Sequence, residues 1–204
     1  MNIKKKNLTA QFLYSVPKLA QMREHAPEVV FVGRSNSGKS TLINALCKKN
    51  NLAKSSKTPG RTRSAVVFLI NLSSKNYYFV DMPGYGYANM SKSEAEGCEE
   101  LIFSYLKERE RIDLILLMLD IRREPDEREL AIINIAKSRG SNIAVVFTKS
   151  DKYVLSRREP RRKNLSQDLN LFLDQVILHS SDLPESTENL LKFINNALIQ
   201  PRPS

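Results

Sequence analysis

Val29-Val30-Phe31-Val32-Gly33-Arg34-Ser35-Asn36-Ser37-Gly38-Lys39-Ser40, the stretch VVFVGRSNSGKS, decides the fold. Its first four residues are β-branched or aromatic and stop at a glycine, the pattern of a buried strand. From Lys39 onward, Leu42, Ile43 and Leu46 recur at helical spacing. Between strand and helix lies G-x-x-x-x-G-K-S, a loop whose backbone N–H groups wrap phosphate oxygens. The glycines let the backbone come close, and the helix N-terminus adds free N–H groups and the positive end of its dipole. Lys39 is placed to reach the β and γ phosphates of a nucleotide, and the Ser40 hydroxyl to ligate magnesium. The bland alternative is a glycine turn beside a chance Lys-Ser pair; the strand before it and the helix after it speak against that.

Three further strings follow in order: TPGRT at Thr58–Thr62, DMPG at Asp81–Gly84 and TKSD at Thr148–Asp151. Asp81 ends the strand candidate Tyr77-Tyr78-Phe79-Val80, where a carboxylate acts on magnesium from behind its direct ligands. Gly84 has no side chain to obstruct a γ-phosphate, so its N–H can bond one and lose the bond on hydrolysis. D-x-x-G alone is common in turns; one hairpin after a phosphate loop it is informative. TKSD leaves the apolar strand Ile143–Phe147. The Asp151 carboxylate can accept two hydrogen bonds from the guanine edge, whereas adenine offers a mismatched acceptor, and an unpaired buried carboxylate is costly. The Lys149 stem lies along the base in this reading. Val176-Ile177-Leu178 reads as the last strand, and His179-Ser180-Ser181 after it offers a backbone N–H for the guanine carbonyl. Ser-rich strand exits are common, so that string is the least specific, and His179 reads as a neighbour of the base. Thr62 falls in Asn50–Ser64, a polar stretch with Lys, Pro and Gly that suits a loop ordered by magnesium and the γ-phosphate, or an ordinary solvated connector.

GRSNSGKS, KTPGRT, DMPGYGYA and TKSD together resemble the EngB-type GTPases of the Era-like branch, over about Phe12 to Leu198. The aromatic extension of DMPGYGYA is the most distinctive piece. The resemblance implies a G domain that binds GTP and magnesium and associates with large ribosomal subunit precursors and their rRNA, with a part in normal growth and division. It implies nucleotide contacts from Gly33, Arg34, Ser35, Asn36, Ser37, Gly38, Lys39 and Ser40. Further contacts come from Gly60, Arg61, Thr62, Arg63 and Ser64, and from Asp81, Met82, Pro83 and Gly84. Thr148, Lys149, Ser150 and Asp151, with His179, Ser180 and Ser181, complete the set. Lys39, Thr62 and Gly84 carry catalysis, and Ser40 and Thr62 are the side-chain magnesium ligands. GTPases more often carry Asn in the place of Thr148, but the TKSD form is normal for this family.

Where many GTPases place a water-orienting glutamine after D-x-x-G, this chain has Tyr85, so slow intrinsic turnover accelerated by a partner is expected. Asn36 stands where some Era-like relatives hold a potassium ion, whose charge can replace an arginine finger. Equally, it reads as a turn residue tolerating unusual backbone angles.

The chain has 204 residues, 41% of them apolar, enough for one domain with a full core. No segment is long enough to span a bilayer, and Lys4-Lys5-Lys6 is not followed by an apolar signal region, so a cytoplasmic protein without membrane attachment is expected. Cys47 and Cys98 lack metal spacing and read as reduced packing residues. The net charge is +10, and from Val29 to Val80 nine Lys or Arg stand without one acidic residue. A second basic cluster is Arg157, Arg158, Arg161, Arg162 and Lys163. Solvated faces look like this, but the excess also suits a polyanion such as structured RNA.

The chain order predicts an α/β three-layer P-loop G domain with a six-stranded, mostly parallel sheet and one antiparallel edge strand. Strands are expected at 29–33, 65–72, 76–81, 112–120, 143–148 and 175–179, and helices at 39–49, 92–110, 125–139, 160–173 and 187–199. Residues 1–27 carry no strand signal and are expected to pack on a G domain of 28–199, with 200–204 a frayed tail. The expected molecule is a monomer off the ribosome. Three functions compete: a GTP-hydrolysing switch, an RNA-binding module using GTP as a conformational ligand with negligible hydrolysis, and a small-substrate kinase, against which Asp151 and Gly84 argue.

Overall fold

The structure, a computed structural model, describes residues 8–23, 26–53, 64–72, 75–86 and 90–199. The strands are β1 (Thr9–Val16), β2 (Glu28–Gly33), β3 (Ala65–Leu72), β4 (Lys75–Asp81), β5 (Ile112–Asp120), β6 (Asn142–Thr148) and β7 (Val176–Leu178). The helices are α1 (Lys39–Leu46), α2 (Lys92–Glu108), α3 (Glu127–Ser138), α4 (Leu155–Asp168) and α5 (Pro184–Ile199). They build one seven-stranded sheet in the order β1-β3-β4-β2-β5-β6-β7. The five strands from β4 to β7 in that order run parallel, while β3 pairs antiparallel with both β4 and β1 and is the one reversed strand among the described residues.

β5 explains the layering. Every residue from Leu114 to Asp120 is buried, as a strand covered on both faces must be. Leu114, Leu116 and Met118 pack with Leu42, Ile43 and Leu46 of α1 and Leu190 and Ile194 of α5. Ile115, Leu117 and Leu119 face the other way, against Ile102 and Tyr105 of α2, Ile132 and Ile133 of α3 and Leu165 of α4. Truncating a side chain such as Leu116 to alanine in this interior costs about 2–5 kcal/mol. Cys47 and Cys98 are both buried, and burial pushes the Cys47 thiol up to about 12, as befits a packing residue.

The class is as expected, but the sheet has seven strands, because the N-terminal segment supplies an edge strand. β1 pairs with β3, and its register shifts between Phe12 and Tyr14. That bulge interrupts the alternation by which a strand announces itself, and only Ala10 and Val16 of β1 are buried. Phe12 stays largely exposed and meets Phe68 edge-on, with ring centroids 6.4 Å apart. β3, expected at the edge, is therefore internal.

Helix α4 begins at Leu155, five residues before its expected start. Pro160, which favours the first helical position, lies inside it. The earlier turn is held by Arg158, whose guanidinium donates to the carbonyls of Tyr153 (3.1 Å) and Asp151 (3.4 Å). Among the described residues, no helix is long and apolar enough to cross a membrane. The expected tail at 200–204 lies outside the described residues.

Candidate functional site

The phosphate loop runs directly from the end of β2 into α1. Gly33 allows its close approach: a Cβ there would stand 2.6 Å from the Met118 carbonyl oxygen of β5. Gly38, which precedes the helix, has φ +95°, a conformation other residues rarely adopt. Asn36 also takes a left-handed φ of 61°, so the turn reading of Asn36 fits its geometry. The Lys39 amine is buried and donates to the carbonyls of Gly33 (2.9 Å) and Arg34 (3.2 Å). Burial pushes its pKa down, against the opposing pull of Asp81.

Asp81 ends β4 beside this loop, and the Ser40 hydroxyl donates to its Oδ2 at 2.9 Å. Burial raises the Asp81 pKa, opposed by Lys39 and Ser40. Asp81 Oδ1 and Ser37 Oγ are buried and have no hydrogen-bond partner among the described residues, so the cradle holds two buried oxygens whose bonding is incomplete. A hydroxyl beside an under-satisfied carboxylate is a set of hard oxygens that fits magnesium. Among the described residues no three His, Cys, Asp or Glu side chains gather into a metal cluster. A magnesium site completed by phosphate oxygens and water requires none. Met82 and Pro83 are buried, Met82 within the core, and Ser64 stands just ahead of β3. Gly60, Arg61, Thr62 and Arg63 lie outside the described residues.

The loops after β6 and β7 meet on the same edge of the sheet. Ser150 N–H donates to the His179 carbonyl at 3.1 Å, and His179 N–H to that of Phe147 at 2.8 Å. Asp151 Oδ1 accepts the Ser180 hydroxyl at 2.7 Å, and Oδ2 pairs with Lys152 at 3.1 Å. Those partners, Ser180 first, hold the Asp151 carboxyl below its usual range. The carboxylate is thus ionised and fixed in direction, with Oδ2 paired with the exposed Lys152. Ser181, which follows Ser180 in the chain, is exposed. His179 is buried, its Nε2 is 3.1 Å from Thr187 Oγ1 and burial pulls its pKa down to about 4, so it is a neutral wall of the loop.

Thr148 is buried, and its hydroxyl donates to the Leu119 carbonyl at 3.3 Å. It supports the sheet edge under the phosphate loop. Lys149 has a left-handed φ of 56° and spans two elements. Its amine donates to the Asn36 carbonyl at 2.9 Å and pairs with Asp120 at 3.2 Å. Arg122 grips Asp120 through both carboxylate oxygens, at 2.8 and 2.6 Å, and this grip, ahead of Lys149, holds the Asp120 carboxyl far below its usual range.

Sequence reasoning missed an acidic anchor behind the phosphate loop. Arg34 contributes its backbone to the cradle, but its side chain turns away to Glu129 (3.0 Å) and Asp126. Glu129 also accepts the Tyr85 phenol at 2.8 Å. Asp126 and Glu129 form the capping box of α3; the D-x-x-E spacing announces the helix start, but nothing local announces its distant partners.

The basic clusters are also narrower than their composition suggests. Arg158 holds the start of α4, Arg161 binds Glu124 and the Arg123 carbonyl, and Arg162 binds the Val176 and Leu173 carbonyls. Lys49 donates to the Ala10 carbonyl at 2.6 Å. Lys48, Lys75, Arg157 and Lys163 remain exposed.

A family model described as 50S ribosome-binding GTPase matches residues 28–149. A protein of Clostridium botulinum (strain Eklund 17B / Type B) named "Probable GTP-binding protein EngB" is 41% identical over 184 residues, covering 89% of this chain and 91% of its own. A protein of the same name from Caldanaerobacter subterraneus subsp. tengcongensis is 35% identical over 191 residues, 93% of this chain and 97% of its own. Among solved structures, an EngB-type protein superimposes with a TM-score of 0.67 at 24% identity, covering 84% of this chain and 98% of that one. Era, solved with MgGDPNP and nucleotides 1506–1542 of 16S ribosomal RNA, gives 0.67 at 23%, covering 89% of this chain and 60% of that one. Those two share the fold. With the phosphate loop, Asp81 and the Asp151 loop on one sheet edge, and with these sequence relatives, the chain belongs to the EngB family of P-loop GTPases.

Proposed function

We propose that this protein is a cytoplasmic GTP-hydrolysing switch acting on precursors of the large ribosomal subunit. One observation carries the nucleotide part: Ser180 pre-sets the Asp151 carboxylate on the loop that Lys149 ties to the Gly33–Ser40 loop through the Asn36 carbonyl. In this reading Asp151 selects guanine, the Lys149 stem lies along it, and a Ser180–Ser181 amide meets its carbonyl oxygen. Lys39 and the loop amides hold the β and γ phosphates, and the Gly84 N–H bonds the γ-phosphate. Ser40 and Thr62 hold magnesium, with Asp81 behind them; when bound, the ion neutralises charge building on the phosphates. Gly60, Arg61, Arg63 and Ser64 flank Thr62 in the segment that follows nucleotide state. Residues 28–199 act as one G domain, monomeric off the ribosome, with no membrane partner.

The ribosomal part is supported by the description of the matching family and by the exposed Lys48, Lys75, Arg157 and Lys163. The test is co-sedimentation with large-subunit precursors, in a GTP analogue and in GDP, at rising salt. Retention in the analogue and release in GDP is expected. With about five phosphate contacts, a fourfold salt increase weakens binding roughly a hundredfold or more. Equal retention in both nucleotides would overturn the switch.

Turnover by the chain alone is slow in this account, because the Tyr85 hydroxyl is bound to Glu129 and is not offered to a water. That same bond favours a second reading, in which hydrolysis is negligible and GTP only sets conformation. Single-turnover hydrolysis with and without ribosomal subunits separates the two. Potassium near Asn36 would supply charge to the phosphates; faster turnover in potassium than in sodium at equal ionic strength is the expected sign, and equal rates would discard it.

A further inference from the structure

The Gly84-Tyr85 pair is drawn onto the phosphate loop. Ser35 N–H donates to the Tyr85 carbonyl at 2.8 Å, extending the sheet by a parallel bridge between Arg34 and Tyr85. A Cβ on Gly84 would stand 2.7 Å from Ser35 Cα, 2.9 Å from Ser35 N and 3.2 Å from Lys39 Nζ. Gly84 therefore fills the space between a loop amide and the lysine, two donors suited to a terminal phosphate.

A buried anchor holds the pair there. Tyr85 is 3% exposed and Glu129 is fully buried. One oxygen of Glu129 accepts the Tyr85 phenol at 2.8 Å and Arg34 Nε at 3.0 Å, while the other accepts Asp126 N–H at 2.8 Å. Phosphate loop, Tyr85 and the first turn of α3 thus share one carboxylate. Hydrogen bonds to a buried charge are among the stronger ones, and breaking one strands its partner.

The structure assigns Glu129, through Tyr85, the role of setting how strongly the chain discriminates between guanosine di- and triphosphate. The inference rests on reading Gly33–Ser40 as the phosphate cradle. A diphosphate leaves Gly84 and Tyr85 where they are. A third phosphate has to take the Ser35 N–H from the Tyr85 carbonyl, draw Lys39 off the Gly33 and Arg34 carbonyls and release the phenol from Glu129. The ligand then binds only the fraction of molecules that have opened, and its apparent affinity falls by that fraction. After the third phosphate leaves, the anchor re-forms. Glu129 is a positioning residue here: it acts on the phosphates only through Tyr85.

The test is equilibrium binding of GDP and of a non-hydrolysable GTP analogue, with magnesium, to the wild-type chain and Tyr85→Phe. The phenylalanine keeps the buried ring and removes only the hydroxyl. Removing one hydrogen bond to a charged group should tighten the analogue roughly tenfold while GDP shifts less than about twofold. Glu129→Gln, checked for folding by thermal melting, should move the ratio in the same direction. A loss of packing alone would weaken both nucleotides together. An unchanged ratio in both variants, or parallel changes for both nucleotides, overturns the inference alone. A wild-type chain that binds neither nucleotide removes the phosphate reading and this inference with it.

Discussion

The Ser40 hydroxyl donates to Asp81 Oδ2 at 2.9 Å, joining the first turn of α1 to the end of β4, while Asp81 Oδ1 is buried without a partner among the described residues. A carboxylate left half-bonded inside a cradle is a place for a cation or its water. Asp81→Asn keeps the shape and removes the charge. Magnesium-dependent nucleotide affinity should fall by about 10–100-fold, the usual effect of removing a group that orients a metal's ligands. Titrating magnesium against nucleotide binding checks it; an unchanged magnesium requirement contradicts it.

In the proposed reading Asp151 selects the base, through a direction that Ser180 sets. Asp151→Asn replaces an acceptor with a donor on the side facing guanine. Guanine nucleotide affinity should drop by roughly a hundredfold, and xanthine nucleotides, which carry an oxygen at that edge, should gain. Ser180→Ala frees the carboxylate to rotate and should cost about tenfold. Competition binding with the two bases measures both.

Burial pulls the His179 pKa down to about 4 in the fold, against 6.5 for an exposed imidazole. The unfolded chain therefore binds the extra proton first. Stability is whole above about pH 6.5 and declines as pH falls toward 4. By pH 5 the loss from this residue is about 2 kcal/mol. Urea unfolding of wild type and His179→Gln at pH 7.5 and 5 should show the steeper decline in wild type; parallel declines contradict it.

Far from the nucleotide edge, Glu28 is fully buried and binds Arg109 at 2.9 and 2.6 Å and the Tyr105 hydroxyl at 2.6 Å. This triad ties the end of α2 to the start of β2. Arg109→Met strands the carboxylate in the interior and should destabilise by about 3–5 kcal/mol. Chemical unfolding checks it, and a change under about 1 kcal/mol would show that Glu28 finds other partners.

The stretch from Val29 to Leu46 was legible because strand period, glycine placement and helix period all act within a few residues. The buried runs of β5 and β6 were legible for the same reason. β1 was not, since the bulge at Phe12–Tyr14 breaks the alternation and leaves Phe12 outside. The start of α4 was misplaced because Pro160 reads locally as a first helical residue, whereas Arg158 fixes the real start through contacts with the preceding loop. Of the candidate site, Gly33–Ser40, Asp81 and Thr148–Asp151 stood out by chemistry and spacing, and the structure describes their local geometry, while residues 58–63 lie outside the described residues. Glu129 was not: its partners lie 44 and 95 residues away, and only folding brings them together.

The most direct measurement of the central claim is equilibrium binding of GDP, GTP and ATP to the purified chain, with and without magnesium. The account predicts tight guanine nucleotide binding, magnesium-dependent for GTP, with ATP weaker by roughly a hundredfold or more. ATP held as firmly as GTP, or no guanine nucleotide held at all, would contradict it.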